Sequence, residues 1–313
     1  MEEMGIRIVA TGRCLPKKQL SNDMLSEMVE TNDEWIRTRT GIRNRYQCED
    51  ESCVSLAAGA AAQAYVRAGI AKDEIAAVIV ASTTSDDMLP SSASMVAQQL
   101  ALPEEILSFD ISTACTGFLT GLAVARGLLL TSPKKYAVVV GSEQLSRIVD
   151  YTDRGTCILF GDGAGAAVVT LADKPYLQKS WTRGCREMLY CPGVGQERQK
   201  IVMQGTEVFK FAVKVLQQGI DEILQEAGLT LADIDFVICH QANERIIRHV
   251  QRKYKGQEDK FYMNIADYGN TSAASIPIAL DEMAESGILK EGMKLLCVAF
   301  GAGLTWNSVY MEW

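Results

Sequence analysis

Short apolar runs alternate along this chain with longer segments whose apolar positions recur every three or four residues. The runs at 78–80, 109–111, 138–140 and 166–169, rich in Val, Ile and Ala, predict buried strands. The segments at about 52–69, 92–101 and 115–131 predict helices between them. Alternation of this kind predicts an α/β layered fold. The second half repeats the order: 236–238, 262–265 and 295–298 follow 78–80, 109–111 and 138–140 at an offset of about 155–160 residues. Helical patterns at 242–254 and 273–286 fill the equivalent slots, and Pro277 is expected to kink the second. A repeat of half the chain is a duplicated domain rather than a solenoid unit. The seam falls at Ala172-Asp173-Lys174-Pro175, giving halves 1–172 and 173–313, with 184–199 reading as loop. Paired α/β halves place a site at their junction, at the carboxyl ends of strands.

Composition narrows the class. The 313 residues are 48% hydrophobic and 22% charged, as in a globular protein, which excludes disorder and low-complexity repeats. No apolar run reaches 18 residues, so no membrane span is expected. The opening MEEMGIRIVATG is acidic and passes into a strand pattern instead of an export signal, which predicts a cytoplasmic chain. A net charge of -8 argues against general nucleic-acid binding. Nine cysteines, an odd number without a C-x-x-C pair, do not read as a disulfide framework. His240 and His249 cannot share a helix face as a metal pair would, and no metal site is expected.

Three segments could carry chemistry. Phe109-Asp110-Ile111-Ser112-Thr113-Ala114-Cys115 places a cysteine where a strand turns into a helix. There the free N–H groups and the helix dipole favour a thiolate nucleophile, and the backbone N–H can serve an oxyanion. The alternative, and the commoner fate of a buried cysteine, is a small corner-packing side chain. His240 ends the matching strand of the second half, as a functional or a structural histidine. Asn270, in Tyr268-Gly269-Asn270-Thr271, opens the helix that answers the Cys115 helix, either in the site or as a cap. Cys, His and Asn in that chain order also serve papain-like proteases, but the C-G-S-C-W surround is absent. The glycines at 161–165 resemble a dinucleotide fingerprint, yet a strand pattern follows them where that motif needs a helix. Those at 301–303 make either a plain hairpin or a close approach of backbone to ligand. Two basic stretches stand out. Residues 35–45 carry Trp35 with four arginines, suited to stacking on a base and pairing with phosphates. Residues 243–255 carry Arg245, Arg248, Arg252, Lys253 and Lys255, a solvated face or a dock for an acidic macromolecule.

Several longer pieces carry a family resemblance: TNDEWIRTRTGIR at 31–43, the Cys115 turn, DRGTCILFGDGAGAAV at 153–168, HQANERII at 240–247, GNTSAASIP at 269–277 and FGAGLTW at 300–306. From about Ile6 to Tyr310 the chain resembles the β-ketoacyl-acyl-carrier-protein synthase III family of thiolase-like condensing enzymes. The resemblance implies a five-layered αβαβα sandwich of two duplicated halves, usually a homodimer, with no cofactor beyond the coenzyme A thioester substrate. It implies decarboxylating condensation of a short acyl-CoA with malonyl-acyl-carrier protein, initiating fatty acid synthesis. A homologue using another starter in secondary metabolism is the alternative. Cys115 would accept the acyl group, with His240 and Asn270 as the decarboxylation and condensation pair. The N–H groups of Cys115 and Ala302 would form the oxyanion hole. Trp35 and Arg154 would sandwich the adenine, Arg39 would meet the phosphates and Asn243 would line the pantetheine tunnel. Thr40, Ile158, Phe209 and Phe300 complete the implied coenzyme A and substrate site. Lys210, Arg245, Arg252 and Lys253 fall on the implied carrier-protein patch. The chain departs from the family pattern at Ala302 and Asn307, where glycine is usual, in the short 181–201 segment, and at Met88-Leu89, where a phenylalanine often closes the partner's acyl pocket.

Overall fold

The computed structural model describes residues 4–196 and 199–313. Two five-stranded sheets dominate it. The first runs in the spatial order Gly5–Cys14, Gly163–Ala172, Tyr136–Glu143, Ile75–Ala81, Leu107–Ile111. Its last three strands are parallel and the other pairings antiparallel. The second runs Tyr176–Cys185, Gly303–Glu312, Lys294–Gly301, Phe236–Cys239, Phe261–Tyr262. Numbered by appearance within its own sheet, each set has the order 1-5-4-2-3. The same topology built twice is the structural counterpart of the repeat in apolar pattern.

The parallel strands Ile75–Ala81 and Tyr136–Glu143 are buried almost throughout, because helices cover both faces of their sheet. Helices Gly117–Leu129 and Ser275–Glu285 lie between the two sheets, in a core shared by Phe118, Leu122, Ile79, Ile276, Leu280 and Cys297. Helices Cys53–Ala68 and Ser92–Gln99 cover the outer face of the first sheet. Gly205–Ala227 and Glu244–Gln251 cover that of the second. The result is five layers, αβαβα. The 23-residue helix Gly205–Ala227 buries Phe211, Val215, Ile220 and Ile223 along one stripe, with polar and charged residues between them in the sequence.

Three local expectations change. Pro277 is the third residue of helix Ser275–Glu285, where no intrahelical N–H bond is lost, so nothing requires a kink. The run at 262–265 is strand only at Phe261–Tyr262, and Ile265–Tyr268 turns helical. The segment 184–199 is not all loop: Leu189–Tyr190 pairs antiparallel with Val202–Met203. All nine cysteines are unpaired. Among the described residues no helix is long and apolar enough to cross a membrane.

Candidate active site

Cys115 stands where strand Leu107–Ile111 gives way to helix Gly117–Leu129. A 3-10 turn, Ala114–Thr116, joins them, and Ala114 holds φ at +46°. That left-handed conformation costs a non-glycine residue some strain, and its persistence at a strand end marks an imposed geometry. The second half builds the same turn at Ser272–Ala274, with Ser272 at φ +50°. Ala273 there answers Cys115, so the duplication kept the scaffold and only one copy carries sulfur. The two turns meet: a Cβ on Gly117 would lie 3.2 Å from that of Ala273.

Cys115 lies on a cavity of about 770 Å³, with Ser112, Phe160, Ser272 and Ala302 beside it and 82–88, 189–194 and 199–201 forming the outer wall. Loss of water around the sulfur pushes its pKa up to about 12; the neighbouring Ser272 hydroxyl opposes this and the Glu143 carboxylate adds to it. A helix N-terminus supplies about 0.3–1 kcal/mol to an anion. A rise from 9.0 to about 12 corresponds, at ~1.4 kcal/mol per unit, to several times that. Desolvation wins, and the resting group is the thiol instead of the expected thiolate.

His240 follows strand Phe236–Cys239 and donates its backbone N–H to the Val298 carbonyl at 2.8 Å. Its ring meets Phe300 edge-on at 5.6 Å between centroids, and Nδ1 has no hydrogen-bond partner. Burial alone lowers its pKa to about 3, so the imidazole is neutral. Phe300 leads into Gly301, where a Cβ would sit 2.8 Å from the backbone nitrogen of Cys115. Only glycine lets this hairpin close against the Cys115 N–H, which brings Ala302 to the same cavity.

Asn270 is fixed by its backbone: its N–H donates to Leu159 at 2.8 Å and its carbonyl accepts from Gly161 at 3.0 Å. Its side-chain Oδ1 accepts the Ser272 N–H at 2.9 Å, so the NH2 is the end left to donate. The hydrogen-bonded run Asn270–Ser272–Glu143 thus crosses from one half to the other, with Ser272 beside Cys115 on the cavity wall.

Glu143, which the sequence reading missed, ends strand Tyr136–Glu143 and is fully buried. It accepts from Thr84 Oγ1 at 2.5 Å, Ser272 Oγ at 3.0 Å and the Thr83 hydroxyl at 3.1 Å. A glutamate closing an otherwise apolar strand run was the available signal.

The basic stretch forms helix Asp33–Thr40, capped by Asn32. The guanidinium of Arg154 lies 5.1 Å from the Trp35 ring centroid and that of Arg39 5.7 Å, a stack that a base could enter only by parting it. Asn243 donates from its side chain to the Arg39 carbonyl at 3.1 Å, joining this helix to Glu244–Gln251 of the second half. Phe209 faces His249 edge-on at 6.0 Å and carries the Arg245 guanidinium at 5.7 Å. Thr40 and Ile158 lie elsewhere: the Thr40 hydroxyl is buried against the Ile36 carbonyl at 2.7 Å, and Ile158 packs in the core beneath with Ile36 and Ile42. Lys210 pairs with Glu207 and Lys253 with Asp221, while Arg245 and Arg252 are exposed on the adjoining helix. Lys214 lies between Lys210 and Lys253 on this face, unseen until helix Gly205–Ala227 was in place. Among the described residues no group of three or more His, Cys, Asp or Glu side chains could hold a metal ion.

A duplicated αβαβα sandwich with a cysteine on a strand-to-helix turn defines the thiolase-like class. Within it, residues 109–181 match the family model for 3-oxoacyl-[acyl-carrier-protein] synthase III, and 224–313 match the model for its C-terminal part. The chain is 43% identical to the β-ketoacyl-[acyl-carrier-protein] synthase III of Caldanaerobacter subterraneus, covering 100% of this chain and 99% of that one. The 3-oxoacyl-[acyl-carrier-protein] synthase III of Aquifex aeolicus superimposes with a TM-score of 0.94 at 40% identity, covering 99% and 100% of the two chains. The priming β-ketosynthase of the R1128 polyketide pathway gives 0.92 at 32% identity over 99% and 97%. This chain belongs to the β-ketoacyl-acyl-carrier-protein synthase III family.

Proposed function

We propose that this enzyme performs the decarboxylating Claisen condensation of a short-chain acyl-CoA with malonyl-acyl-carrier protein, releasing CoA and CO2 and initiating fatty acid synthesis. The observation that carries the reading is Cys115, on a strand-to-helix turn in the wall of a cavity of about 770 Å³, where turns from both halves meet. Cys115 attacks the acyl thioester and keeps the acyl group. The N–H groups of Cys115 and Ala302 hold the developing oxyanion, each such donor contributing about 3–4 kcal/mol. Malonyl-carrier protein then enters. Neutral His240 and the NH2 of Asn270 donate to its thioester carbonyl, stabilising the enolate left by CO2, which attacks the Cys115 thioester. A His240 pKa of about 3 supports this role, since an imidazolium would pair with a thiolate instead.

Trp35 and Arg154 open to hold the adenine, Arg39 meets the phosphates, and Asn243, Phe209 and Phe300 flank the path inward. Thr40 and Ile158 act from below, by holding helix Asp33–Thr40 in place. Lys210, Lys214, Arg245, Arg252 and Lys253 receive the acidic carrier protein. The chemistry needs no metal, flavin or nicotinamide. The division at 172/173 separates a half bearing the nucleophile from a half bearing His240 and Asn270. The working unit is a cytoplasmic homodimer: Met88 and Leu89 are 77% and 86% exposed, an apolar tip suited to a second copy of this chain. A second reading, a condensing enzyme priming a secondary-metabolite pathway with another starter, draws support from the polyketide relative and from that atypical tip.

Intact-mass measurement after incubation with a panel of acyl-CoAs tests the reading. Acylation of the wild type, absent in Cys115→Ser, identifies the primer. Failure of the acyl-enzyme to yield ketoacyl product and CO2 with malonyl-carrier protein would reduce the enzyme to simple acyl transfer.

A further inference from the structure

Cys115 faces a difficulty that the duplicated scaffold does not resolve. Its thiol must lose a proton to attack, and neither neighbour named so far is suited to take it. The imidazole of His240 is held neutral at a pKa of about 3, a weak base. The amide of Asn270 is not a base at all. A third group is within reach. Ser272 stands with Cys115 on the cavity wall, close enough to lower the pKa of the thiol, and its hydroxyl donates to Glu143 Oε1 at 3.0 Å, leaving its oxygen free to accept. Ser272 is held for this by its own N–H on Asn270 Oδ1 and by its φ of +50°. Beyond it, Glu143 is fully buried, which pushes its carboxyl pKa up and makes it a stronger base, while three hydroxyls and a backbone N–H from Ser82, Thr83 and Thr84 supply hydrogen bonds that oppose the rise and hold the group in place. Among the described residues no cation pairs with it, and a buried carboxylate so placed is costly to keep for packing alone.

We propose that Glu143, acting through the Ser272 hydroxyl, takes the proton of Cys115 during acylation and returns it when condensation frees the sulfur. As the sulfur–carbon bond forms, the S–H proton passes to Ser272 Oγ and the Ser272 proton passes to Glu143. The carbonyl electron pair moves onto oxygen and returns to expel CoA thiolate, which takes a proton from water as it leaves. Glu143 stays protonated through the life of the acyl-enzyme. In condensation CO2 departs without a proton, the carbon–carbon bond forms, and the expelled Cys115 thiolate recovers its proton along the same path. One solvent proton is consumed per turnover, on the departing CoA. The inference rests on Cys115 being the acylated sulfur. Ser272 touches the reacting atom; Glu143 acts through it and is a positioning residue.

Besides Cys115, the titratable group facing Glu143 is the Cys53 thiol, itself pushed up to about 12 by burial. On the outer wall Asp86, Asp87, Arg147, Tyr190, Cys191 and Lys200 are the others around the cavity. The test is single-turnover acylation by rapid-quench intact mass, from pH 6 to 9, for wild type, Glu143→Gln and Ser272→Ala. Both variants should acylate about 100-fold more slowly at pH 7, and their rates should climb tenfold per pH unit as the thiol ionises to solvent, while the wild-type rate levels off. Decarboxylation of malonyl-carrier protein in a Cys115→Ala background, which needs no thiol proton, should change less than threefold when Glu143→Gln is added. Variant rates within threefold of wild type, a loss without the pH slope, or equal loss of acylation and decarboxylation each overturn the proposal. Should both variants fail to fold, wild-type acylation in H2O–D2O mixtures decides: a two-proton transfer predicts a curved dependence on deuterium fraction, and a straight line refutes it. A wild type that never acylates at Cys115 would instead end the functional reading.

Discussion

Gly301→Ala offers a sharp perturbation of the junction between the halves. The added Cβ would lie 2.8 Å from the Cys115 nitrogen, 3.3 Å from its Cβ and 3.4 Å from the Cβ of Ala114. Since ordinary contact begins at about 3.4 Å, the closest approach is 0.6 Å too short. The obstacle is backbone at the start of a helix and cannot swing aside. Gly301 pairs with Thr305 in the hairpin of strands Lys294–Gly301 and Gly303–Glu312, so the hairpin must yield instead. Overpacking of this kind costs about 1–3 kcal/mol, or a fall of roughly 2–5 °C in Tm for a chain of this length. The shift also separates the Ala302 N–H from that of Cys115. With about 100-fold lost per ångström of misplacement, a 0.6 Å shift predicts acylation roughly 15-fold slower. Rapid-quench mass spectrometry gives the rate and calorimetry the Tm. A variant as fast and as stable as wild type would falsify both the packing and the oxyanion arguments.

Three further outcomes follow from the same geometry. His240 has a folded pKa near 3 against 6.5 unfolded, so between these values the unfolded chain binds the extra proton. Stability is therefore lost as pH falls through that window, by up to ~1.4 kcal/mol per unit, and urea titrations of His240→Gln should show a shallower pH dependence. For Arg245→Glu, KM for carrier protein should rise several-fold with acyl-CoA loading unchanged; equal loss of both half-reactions would remove the docking patch. Asp281 is fully buried and takes Arg13 at 2.7 Å and Arg67 at 2.6 Å. Because both arginines are partly exposed, Asp281→Asn should cost about 1–3 kcal/mol, read from urea denaturation at constant m, and an unchanged midpoint would contradict it.

The apolar pattern by itself determined the α/β layering and the repetition at about half the chain, because a strand buried on both faces must read as a continuous run of Val, Ile and Ala. It also singled out Cys115, His240 and Asn270, since chemistry at the carboxyl end of a strand follows from where the run stops. Helix Gly205–Ala227 went unread because its charged face interrupts every short apolar window. The ionisation of Cys115 was misjudged for a related reason: the dipole at a helix start is local and visible in sequence, whereas desolvation depends on what the other half places above the sulfur. Ser272 and Glu143 became partners only through folding, 129 residues apart. Ala273 and Cys115 show the same division of labour. Their turns share a backbone shape that local sequence can encode, but which of the two faces a cavity is decided by how the sheets close around them.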